Sequence, residues 1–462
     1  MIGISEGFHD AAIAVVNDGK ITFAAHAERY SRVKHDKFLN TQVCAEALRH
    51  TEINDSVSFY ERPLLKRTRQ FFAGQYKSAF KERNIYFTPD KYYSHHLSHA
   101  AAAFQTSPYS DAACVVVDSI GEWDTASIWH AQMVEGCARY KKVWSQKYPS
   151  SIGLWYSSYT KWAGLRPLDE EYIFMGMAAF GKPLYVEQAR KLLSRNNHKG
   201  FSISLEGNPE DNSKSAEIVL YEELRKIFNK ARQYSNNICY GGGVALNCVV
   251  NAKLQNEHPF MWIMPNPGDA GASLGAALLS YGGKVNFNPY LGENIQKQID
   301  VKQVVDTLLE KGMCGVANGP AEFGPRALGN RSLLADPRTL RMKDLVNTVK
   351  KRQKFRPFAP AILEEYCQDY FRMPPESRYM SFVYDCKRPD YIPACVHVDN
   401  TARVQTVPTW SSSILREILE CWYERTGCPV LLNTSLNIRG MPIVNTWEDA
   451  IEFSKKYSID VF

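Results

Sequence analysis

The chain has 462 residues, of which 45% are hydrophobic and 23% charged. This composition excludes a disordered or fibrous protein and favours a globular enzyme of two or three domains. The net charge of +6 favours anionic ligands such as phosphates without by itself indicating nucleic acid. No apolar run approaches the roughly 18 residues of a membrane helix, and no secretion signal is visible. The 11 cysteines form no C-x-x-C pair, so we expect reduced thiols and a cytoplasmic protein.

The N-terminal residues alternate in a way that predicts strands at 2–5, 11–16 and 21–25, with a hairpin turn at Asn17-Asp18-Gly19. Between the first two strands, His9 and Asp10 place an imidazole and a carboxylate in a tight loop. Such a pair suits a general base, although hydrogen bonds that only order the loop are the alternative. The segment that follows, which contains Lys34, is dense in charges that a fold must keep in water or use.

Residues 62–83 concentrate Lys and Arg around a single acid, Glu82, and Phe72, Tyr76 and Phe80 recur there at helical spacing. We expect an amphipathic helix whose aromatic stripe packs on the core and whose basic face is in solvent. Contact with a polyanion such as a nucleic acid is the alternative.

His95 and His99 lie four residues apart, so on a helix both imidazoles can point at one spot. The apolar run that follows predicts a buried strand with Asp118 at its carboxyl end, where the active groups of open α/β sheets collect. Two imidazoles and a carboxylate indicate a site for Fe, Mn or Zn. A chance pair of histidines on an exposed helix is the alternative.

Three glycine-containing segments are further candidates for ligand binding. The turn at 118–124, with Gly121, follows a strand as phosphate-facing loops do, but an ordinary acidic hairpin turn has the same residues. The glycines at 241–243, with Asn247, offer backbone N–H groups at a helix start or form a packing turn. Asp269 precedes a helix predicted over 272–279, either as its N-cap or as a fourth metal or phosphate-side ligand.

Residues 150–235 predict mostly helices and loops, with a surface loop or short disorder at 206–215. Residues 286–298 have the composition of an interdomain connection, and a helix at 301–309 and a strand at 314–317 follow. The segment from Arg326 through Arg331 to Arg356 is rich in guanidinium groups near glycine turns. It suits bidentate binding of oxyanions, or it forms a basic surface.

Seven motifs, taken in order, resemble one family, the ATP-dependent O-carbamoyltransferases of nodulation-factor and antibiotic biosynthesis. These enzymes are related to the hydrogenase-maturation carbamoyltransferase. The likeness runs from Gly3 to about Asn445. The motifs are His-Asp-Ala-Ala at 9–12, the His95/His99 pair, Met-Gly-Met-Ala-Ala-Phe-Gly at 175–181, and the segments 241–247, 324–329, 355–360 and 432–437.

The resemblance implies an α/β protein with an actin-like (ASKHA) nucleotide-binding domain in residues 1–290 and a YrdC-like α/β domain in residues 291–462. The first would bind metal and nucleotide and transfer the carbamoyl group, and the second would form carbamoyl-adenylate. The implied metal ligands are His95, His99, Asp118 and Asp269. The implied ligand-binding residues are Gly121, Gly242, Gly243 and Asn247 in the first domain and Arg326, Lys350, Arg352, Arg356, Ser435 and Asn437 in the second. The catalytic candidates are His9, Asp10 and Lys34.

The resemblance also implies a reaction. Carbamoyl phosphate and Mg-ATP would give carbamoyl-adenylate with release of pyrophosphate, and the carbamoyl group would pass to an acceptor hydroxyl with release of AMP and phosphate. The metal would be a divalent ion, Fe or alternatively Mn or Zn. The chain departs from the family at Leu436, where an aromatic residue is usual, and this indicates a packing change. The acylphosphatase-like and zinc regions of the hydrogenase-maturation enzyme are absent, which argues against a peptide cysteine as acceptor.

A sugar or antibiotic hydroxyl is the acceptor that the resemblance implies, and a hydroxymethyl group on a nucleobase is the alternative. Two other classes stay open at this point. One is an actin-like kinase that transfers the γ-phosphoryl group of ATP, and the other is a tRNA-modifying protein that docks nucleic acid on the basic segment 62–83. No membrane partner is expected, and a homodimer is left open.

Overall fold

The computed structural model describes residues 1–52, 55–76, 86–193, 200–201 and 204–462. The chain divides into two compact units. The first unit is Met1–Ala27 with His35–Phe287, and the second is Glu28–Lys34 with Asn288–Phe462. A short charged stretch near the N-terminus thus belongs to the C-terminal unit. None of the helices in these ranges is long and apolar enough to span a bilayer.

The structure is a mixed α/β fold with several sheets. The strands are β1 Ile2–Ser5, β2 Ala12–Asn17, β3 Lys20–His26, β4 Val57–Phe59, β5 Lys91–Tyr92, β6 Asp111–Gly121, β7 Asp124–Val134, β8 Cys137–Lys147, β9 Ile238–Gly241, β10 Met261–Ile263, β11 Tyr290–Ile295, β12 Met313–Ala317, β13 Gly319–Glu322, β14 Arg331–Ala335, β15 Ala359–Leu363, β16 Phe371–Arg372, β17 Tyr384–Cys386, β18 Thr401–Ala402, β19 Gln405–Val407 and β20 Val430–Ser435. The helices are α1 Ala27–Ser31, α2 Thr41–Leu48, α3 Pro63–Phe72, α4 His95–Gln105, α5 Ile152–Trp162, α6 Glu171–Met177, α7 Val186–Leu193, α8 Pro209–Ala231, α9 Cys248–Glu257, α10 Asp269–Tyr281, α11 Val301–Lys311, α12 Leu340–Val349, α13 Cys367–Tyr370, α14 Leu415–Thr426 and α15 Trp447–Tyr457.

The first unit contains two five-stranded sheets of the same design. In one, the order is β3-β2-β1-β4-β5, and in the other it is β8-β7-β6-β9-β10. In both sheets the first three strands in sequence are antiparallel and the last two are parallel to the first. The three predicted N-terminal strands and their hairpin are confirmed. The duplication has no counterpart in a sequence repeat, because it preserves strand order and not residue identity.

The expectation that the basic helix turns its aromatic side chains to the core and its basic side chains to solvent is wrong within the described residues. On α3 it is Lys66 and Arg69 that are buried, each only 7% exposed, while Phe72 is 78% and Tyr76 55% exposed. The helix buries cations because Glu61 lies beside it, and Lys66 donates a hydrogen bond to this carboxylate at 2.7 Å. These two charges therefore do not form a solvent-facing surface for a polyanion. Lys77, Phe80 and the basic residues up to 83 lie outside the described residues.

The prediction of a surface loop at 206–215 is also wrong from residue 209 onward, where α8 begins. Asn208 is the N-cap, its side chain accepts a hydrogen bond from the Asp211 N–H at 2.7 Å, and Pro209 occupies the first helical turn. Asn before Pro is a standard helix start. Residues 208 and 209 therefore predict a helix, although the polar composition of the segment indicates a loop.

The second unit is built on a sheet of order β12-β14-β20-β15-β19. It is antiparallel apart from the β15–β19 pair. The predicted helix at 301–309 and strand at 314–317 are confirmed as α11 and β12. Residues 290–295, which were expected in a connection, instead form β11 and pair with β13. Leu436 is fully buried in the core beside Leu333 and Leu432, so its side chain has a packing role.

Candidate functional site

Four side chains of the first unit converge at one buried point. His95 and His99 come from the first two turns of α4, Asp118 follows the part of β6 that pairs with β9, and Asp269 is the first residue of α10. The N-cap of α10 is Gly268, so Asp269 does not have the capping role that was its alternative. All four residues are buried, and their ligand atoms lie within 4.8 Å of one another.

The distances between these atoms fit a single metal ion. The Nε2 atoms of His95 and His99 are 3.1 Å apart. Asp118 Oδ2 lies 3.2 and 3.4 Å from them, and Asp269 Oδ1 lies 3.3 and 3.4 Å from them. Four donors at about 2.0–2.1 Å from a tetrahedral ion are roughly 3.3–3.4 Å from each other. Two imidazoles and two carboxylates suit Zn, Fe or Mn.

The electrostatics of the cluster also fit a cation. Burial lowers the pKa of His95, but the charges and hydrogen bonds of Asp269 and Asp118 outweigh burial and raise it well above its usual value. Burial and the neighbouring Asp269 would raise the pKa of Asp118, but hydrogen bonds from the two histidines hold it below its usual range. The carboxylates are therefore ionised, and the pocket favours positive charge at its centre.

Groups around the cluster orient its ligands. The Ser119 N–H donates to Asp118 Oδ1 at 2.7 Å, which leaves Oδ2 for the histidines. His95 Nδ1 lies 3.8 Å from Glu61 Oε2, and Lys66 binds the other oxygen of Glu61. The distance between His95 and Glu61 is too long for a hydrogen bond, so Glu61 acts on His95 through its charge, and a carboxylate behind a ligating imidazole is a common way to orient it. Glu61 was not found from the sequence, because its position relative to His95 depends on how β4 and α4 pack.

The candidate glycines pack directly on this cluster. A Cβ at Gly121 would lie 2.3 Å from His95 Cδ2, and one at Gly243 would lie 3.1 Å from Asp118 Oδ1. Gly242 has a φ of +89° and no room for a side chain beside Val117 O, and its N–H donates to Pro267 O at 2.8 Å. Asn247 is the N-cap of α9 and accepts a hydrogen bond from the Val250 N–H at 3.1 Å. These contacts give all four residues a structural role.

The catalytic candidates His9 and Asp10 are hydrogen-bonded to each other. His9 Nδ1 lies 2.9 Å from Asp10 Oδ2, and His35 Nδ1 lies 2.7 Å from Asp10 Oδ1. Burial lowers the pKa of His9, but Asp10 and the nearby charges of Asp269 and Asp118 raise it above its usual value. Burial would raise the pKa of Asp10, but its two histidine partners hold it well below its usual value.

The charges of Asp269 and Asp118 act on His9, which indicates that the His9 loop lies near the four-residue cluster. Asp10 stays ionised at neutral pH, which makes it a partner for an imidazole and a poor proton acceptor. His9 is the better candidate base.

The third catalytic candidate, Lys34, belongs to the second unit. Its ammonium group lies 2.8 and 2.9 Å from the two oxygens of Glu28, whose side chain is buried. This ion pair joins the two ends of the segment 28–34.

A second cluster lies in the second unit at the end of β20. The buried Lys350 ammonium donates to Asn437 Oδ1 at 3.0 Å and to Ser435 Oγ at 3.2 Å. Burial, together with the charges of Arg352 and Arg356, holds the pKa of Lys350 well below its usual value. Hydrogen bonds therefore join Lys350, Ser435 and Asn437, and the charges of Arg352 and Arg356 act on Lys350. Arg326 lies half-buried in the segment before β14.

The guanidinium groups of this segment differ in role. Arg352 donates to Asn347 Oδ1 at 2.6 Å and stacks over the Phe358 ring at 3.9 Å. Arg331 is fully buried, and its N–H groups bind backbone oxygens, among them those of Asn445 and Glu293. The expectation that Arg331 binds an oxyanion is therefore wrong, because its donors are used within the fold.

The chain matches the model of the carbamoyltransferase N-terminus over residues 69–206 and 212–278 and that of the carbamoyltransferase C-terminus over residues 305–462. The chain belongs to the carbamoyltransferase family. It is a transferase enzyme, and the resemblance seen in the sequence is confirmed.

Three relatives illustrate the extent of the similarity. An uncharacterised protein of Synechocystis sp. is 31% identical over 100% of this chain and 95% of its own length. Nodulation protein NolNO of Sinorhizobium fredii is 30% identical over 96% of this chain and 76% of its own length. Nodulation protein NolO of Bradyrhizobium diazoefficiens is 31% identical over 78% of this chain and 75% of its own length.

Proposed function

We propose that this carbamoyltransferase acts in two steps on carbamoyl phosphate and ATP. In the first, carbamoyl phosphate and water give carbamate and phosphate. A carbamate oxygen then attacks the α-phosphorus of ATP, the bond to pyrophosphate breaks, and carbamoyl-adenylate forms. In the second, an acceptor hydroxyl attacks the carbamoyl carbon, the bond to the AMP phosphate breaks, and an O-carbamate is the product. The buried His95, His99, Asp118 and Asp269 cluster carries the proposal.

We assign the first step to the second unit, which we propose is YrdC-like. The Lys350 ammonium is buried, and the partners that it has among the described residues, Ser435 and Asn437, carry no charge. Arg352 and Arg356 add positive charge. A buried cation without an anion is costly, so this cluster favours a ligand with several negative charges. ATP and carbamoyl phosphate have such charges, and holding them in place supplies most of the catalysis that adenylation needs. We include Arg326 in this site because the resemblance to the carbamoyltransferase family implies it.

We assign the second step to the first unit, whose duplicated sheets support an actin-like domain. His95, His99, Asp118 and Asp269 would hold a divalent ion, Fe or alternatively Mn or Zn. When bound, such an ion supplies Lewis-acid polarisation of a carbonyl or phosphoryl oxygen. Nucleotide contacts of Gly121, Gly242, Gly243 and Asn247 belong to this proposal as backbone contacts. The glycines have little or no room for a side chain, and the side chain of Asn247 caps α9.

His9 is the proposed base for the acceptor. Its Nδ1 faces Asp10, so Nε2 is the nitrogen that takes the hydroxyl proton as the new bond forms. An alcohol needs this help, because its own pKa is far too high for spontaneous attack at neutral pH. Asp10 stabilises the imidazolium that results, which is the role that a carboxylate has behind a catalytic histidine.

The acceptor class that we propose is a hydroxyl of a sugar or a similar natural product. The test is to incubate the protein with ATP, carbamoyl phosphate, Fe(II) and a panel of hydroxyl compounds, and to locate the added carbamoyl group by mass spectrometry with fragmentation. A carbamate on oxygen, absent with His99→Ala, supports the proposal. Carbamoylation on nitrogen or sulfur, or full transfer by His99→Ala, contradicts it.

A further inference from the structure

His35 and Asp169 extend the His9–Asp10 pair on the side away from the ring nitrogen Nε2 of His9. His35 Nδ1 lies 2.7 Å from Asp10 Oδ1, and His35 Nε2 lies 2.7 Å from Asp169 Oδ1. Asp169 is in turn bound by Arg166, whose Nη2 lies 2.9 Å from its second oxygen. A continuous row of contacts therefore runs from Arg166 to His9, and each ionised carboxylate stands between two donors.

The direction of each hydrogen bond in this row follows from its chemistry. An ionised carboxylate can only accept. His35 therefore donates from both ring nitrogens and is an imidazolium, and His9 donates from Nδ1 to Asp10. The lone pair of the neutral His9 ring is then on Nε2. This is the tautomer that a base needs at its free nitrogen.

The backbone at this row is strained. Asp10 has a φ of +53° and His35 a φ of +55°, and Leu168, next to Asp169, has a φ of +64°. Non-glycine residues are uncommon in the left-handed region, and they persist there when surrounding contacts hold them. The contact between Asp10 and His35 links two residues with left-handed backbone. The fold thus uses His35 to fix the carboxylate of Asp10 in an otherwise disfavoured place.

We propose that His35 and Asp169 are positioning residues that hold Asp10 so that Asp10 fixes the tautomer and the orientation of His9. The inference rests on the role of His9 as the base in the proposed function. Asp169 neutralises the imidazolium of His35 from the far side and is itself held by Arg166. His35 occupies one oxygen of Asp10. The other oxygen of Asp10 is left for His9. Neither His35 nor Asp169 contacts the acceptor in this scheme.

The test is the tautomer of His9, measured by long-range ¹H–¹⁵N spectra of protein labelled with ¹⁵N-histidine, at a pH where this ring is neutral. His9→Gln assigns the signal. In the wild type we expect the proton on Nδ1. The proton stays on Nδ1 because Asp10 accepts it there, and Asp10 is held less firmly once its contact with His35 is weakened. We expect His35→Gln and Asp169→Ala to lower the Nδ1–H to Nε2–H ratio about tenfold, the effect that a weakened hydrogen bond to a charged group has.

The matched control is His130→Gln, which removes another histidine–carboxylate pair of the same unit, His130 Nε2 to Asp111 Oδ2 at 2.9 Å. It should leave the His9 signal unchanged. If Asp169→Ala does not fold, Asp169→Asn keeps the shape and removes the charge. An unchanged His9 tautomer in the folded His35 and Asp169 variants overturns the inference. Full transfer by His9→Ala would overturn the proposed base instead, so the two failures are distinguishable.

Discussion

Replacement of Gly121 by alanine tests the geometry of the proposed metal centre. A Cβ on Gly121 would lie 2.3 Å from His95 Cδ2 and 2.8 Å from His96 Cδ2. Ordinary contact begins near 3.4 Å, so the His95 ring must move by about 1 Å. Metal–ligand distances tolerate only about 0.2 Å. The variant is therefore expected to lose His95 as a ligand while the fold stays intact.

The size of the effect follows from the number of ligands. Four protein ligands of a structural zinc together supply about 10–16 kcal/mol, so the loss of one costs roughly 3 kcal/mol, or about a hundredfold in affinity at 1.4 kcal/mol per factor of ten. Titration of the metal-free protein with Co(II) or Zn(II) measures this. Gly268→Ala is the matched control, because Gly268 lies next to Asp269 and a Cβ there meets no atom within 4 Å.

Equal metal affinity in Gly121→Ala and the wild type would refute the assignment of His95 as a ligand. A hundredfold loss in Gly268→Ala as well would show that the assay reports general disturbance of the loops and not the His95 contact.

Three further predictions concern other parts of the protein. Glu61→Gln should weaken metal binding about 10–100-fold, as loss of a carboxylate behind a ligating histidine does, and unchanged affinity in a Co(II) titration would show that Glu61 has no such role. Arg356→Ala should abolish pyrophosphate release from ATP, whereas His99→Ala should spare it and block only transfer; equal loss in both variants would contradict the division of labour. Asp10→Asn should lower the melting temperature at neutral pH, because the pKa of Asp10 in the folded protein is well below its ordinary value of 3.8. The contacts of the ionised carboxylate therefore stabilise the fold above pH 3.8. This stabilisation is lost as the pH falls through the lower pKa of the folded state. Asn tolerates the left-handed backbone at this position, so the difference in melting temperature should vanish in acid, and a difference that persists there would show that charge is not its cause.

Part of the candidate site follows from local rules. The spacing of His95 and His99 places both imidazoles on one helix face, and Asp118 follows the buried apolar part of β6. Each of these is set by a few neighbouring residues, so the sequence predicts it. That Asp269 meets them depends on how α10 packs against α4, where a Cβ on Gly275 would lie 1.8 Å from Ser98 O. No local pattern contains that contact, so the sequence left Asp269 open between an N-cap and a ligand, and the family resemblance favoured the ligand.

The two clearest errors have one physical cause. On α3 the periodicity of aromatic residues predicts the buried face, but the cations Lys66 and Arg69 are buried because Glu61 lies opposite them. The guanidinium group of Arg331 is of the kind that binds oxyanions, but its N–H groups donate to backbone oxygens inside the second unit. Glu61 is only five residues from Lys66, but it precedes α3, so the periodicity of the helix does not include it. The partners of Arg331 are backbone groups, and a charged residue carries no local sign of which partner it will have.

The proposed function depends most on activation of the carbamoyl group as carbamoyl-adenylate. Exchange of labelled pyrophosphate into ATP tests it directly, because this exchange needs only the first step and no acceptor. We expect label in ATP when carbamoyl phosphate is present, none when it is omitted, and none with Arg356→Ala. Formation of ADP without any exchange of pyrophosphate, by a protein that still transfers the carbamoyl group, would show that carbamoyl-adenylate is not the intermediate.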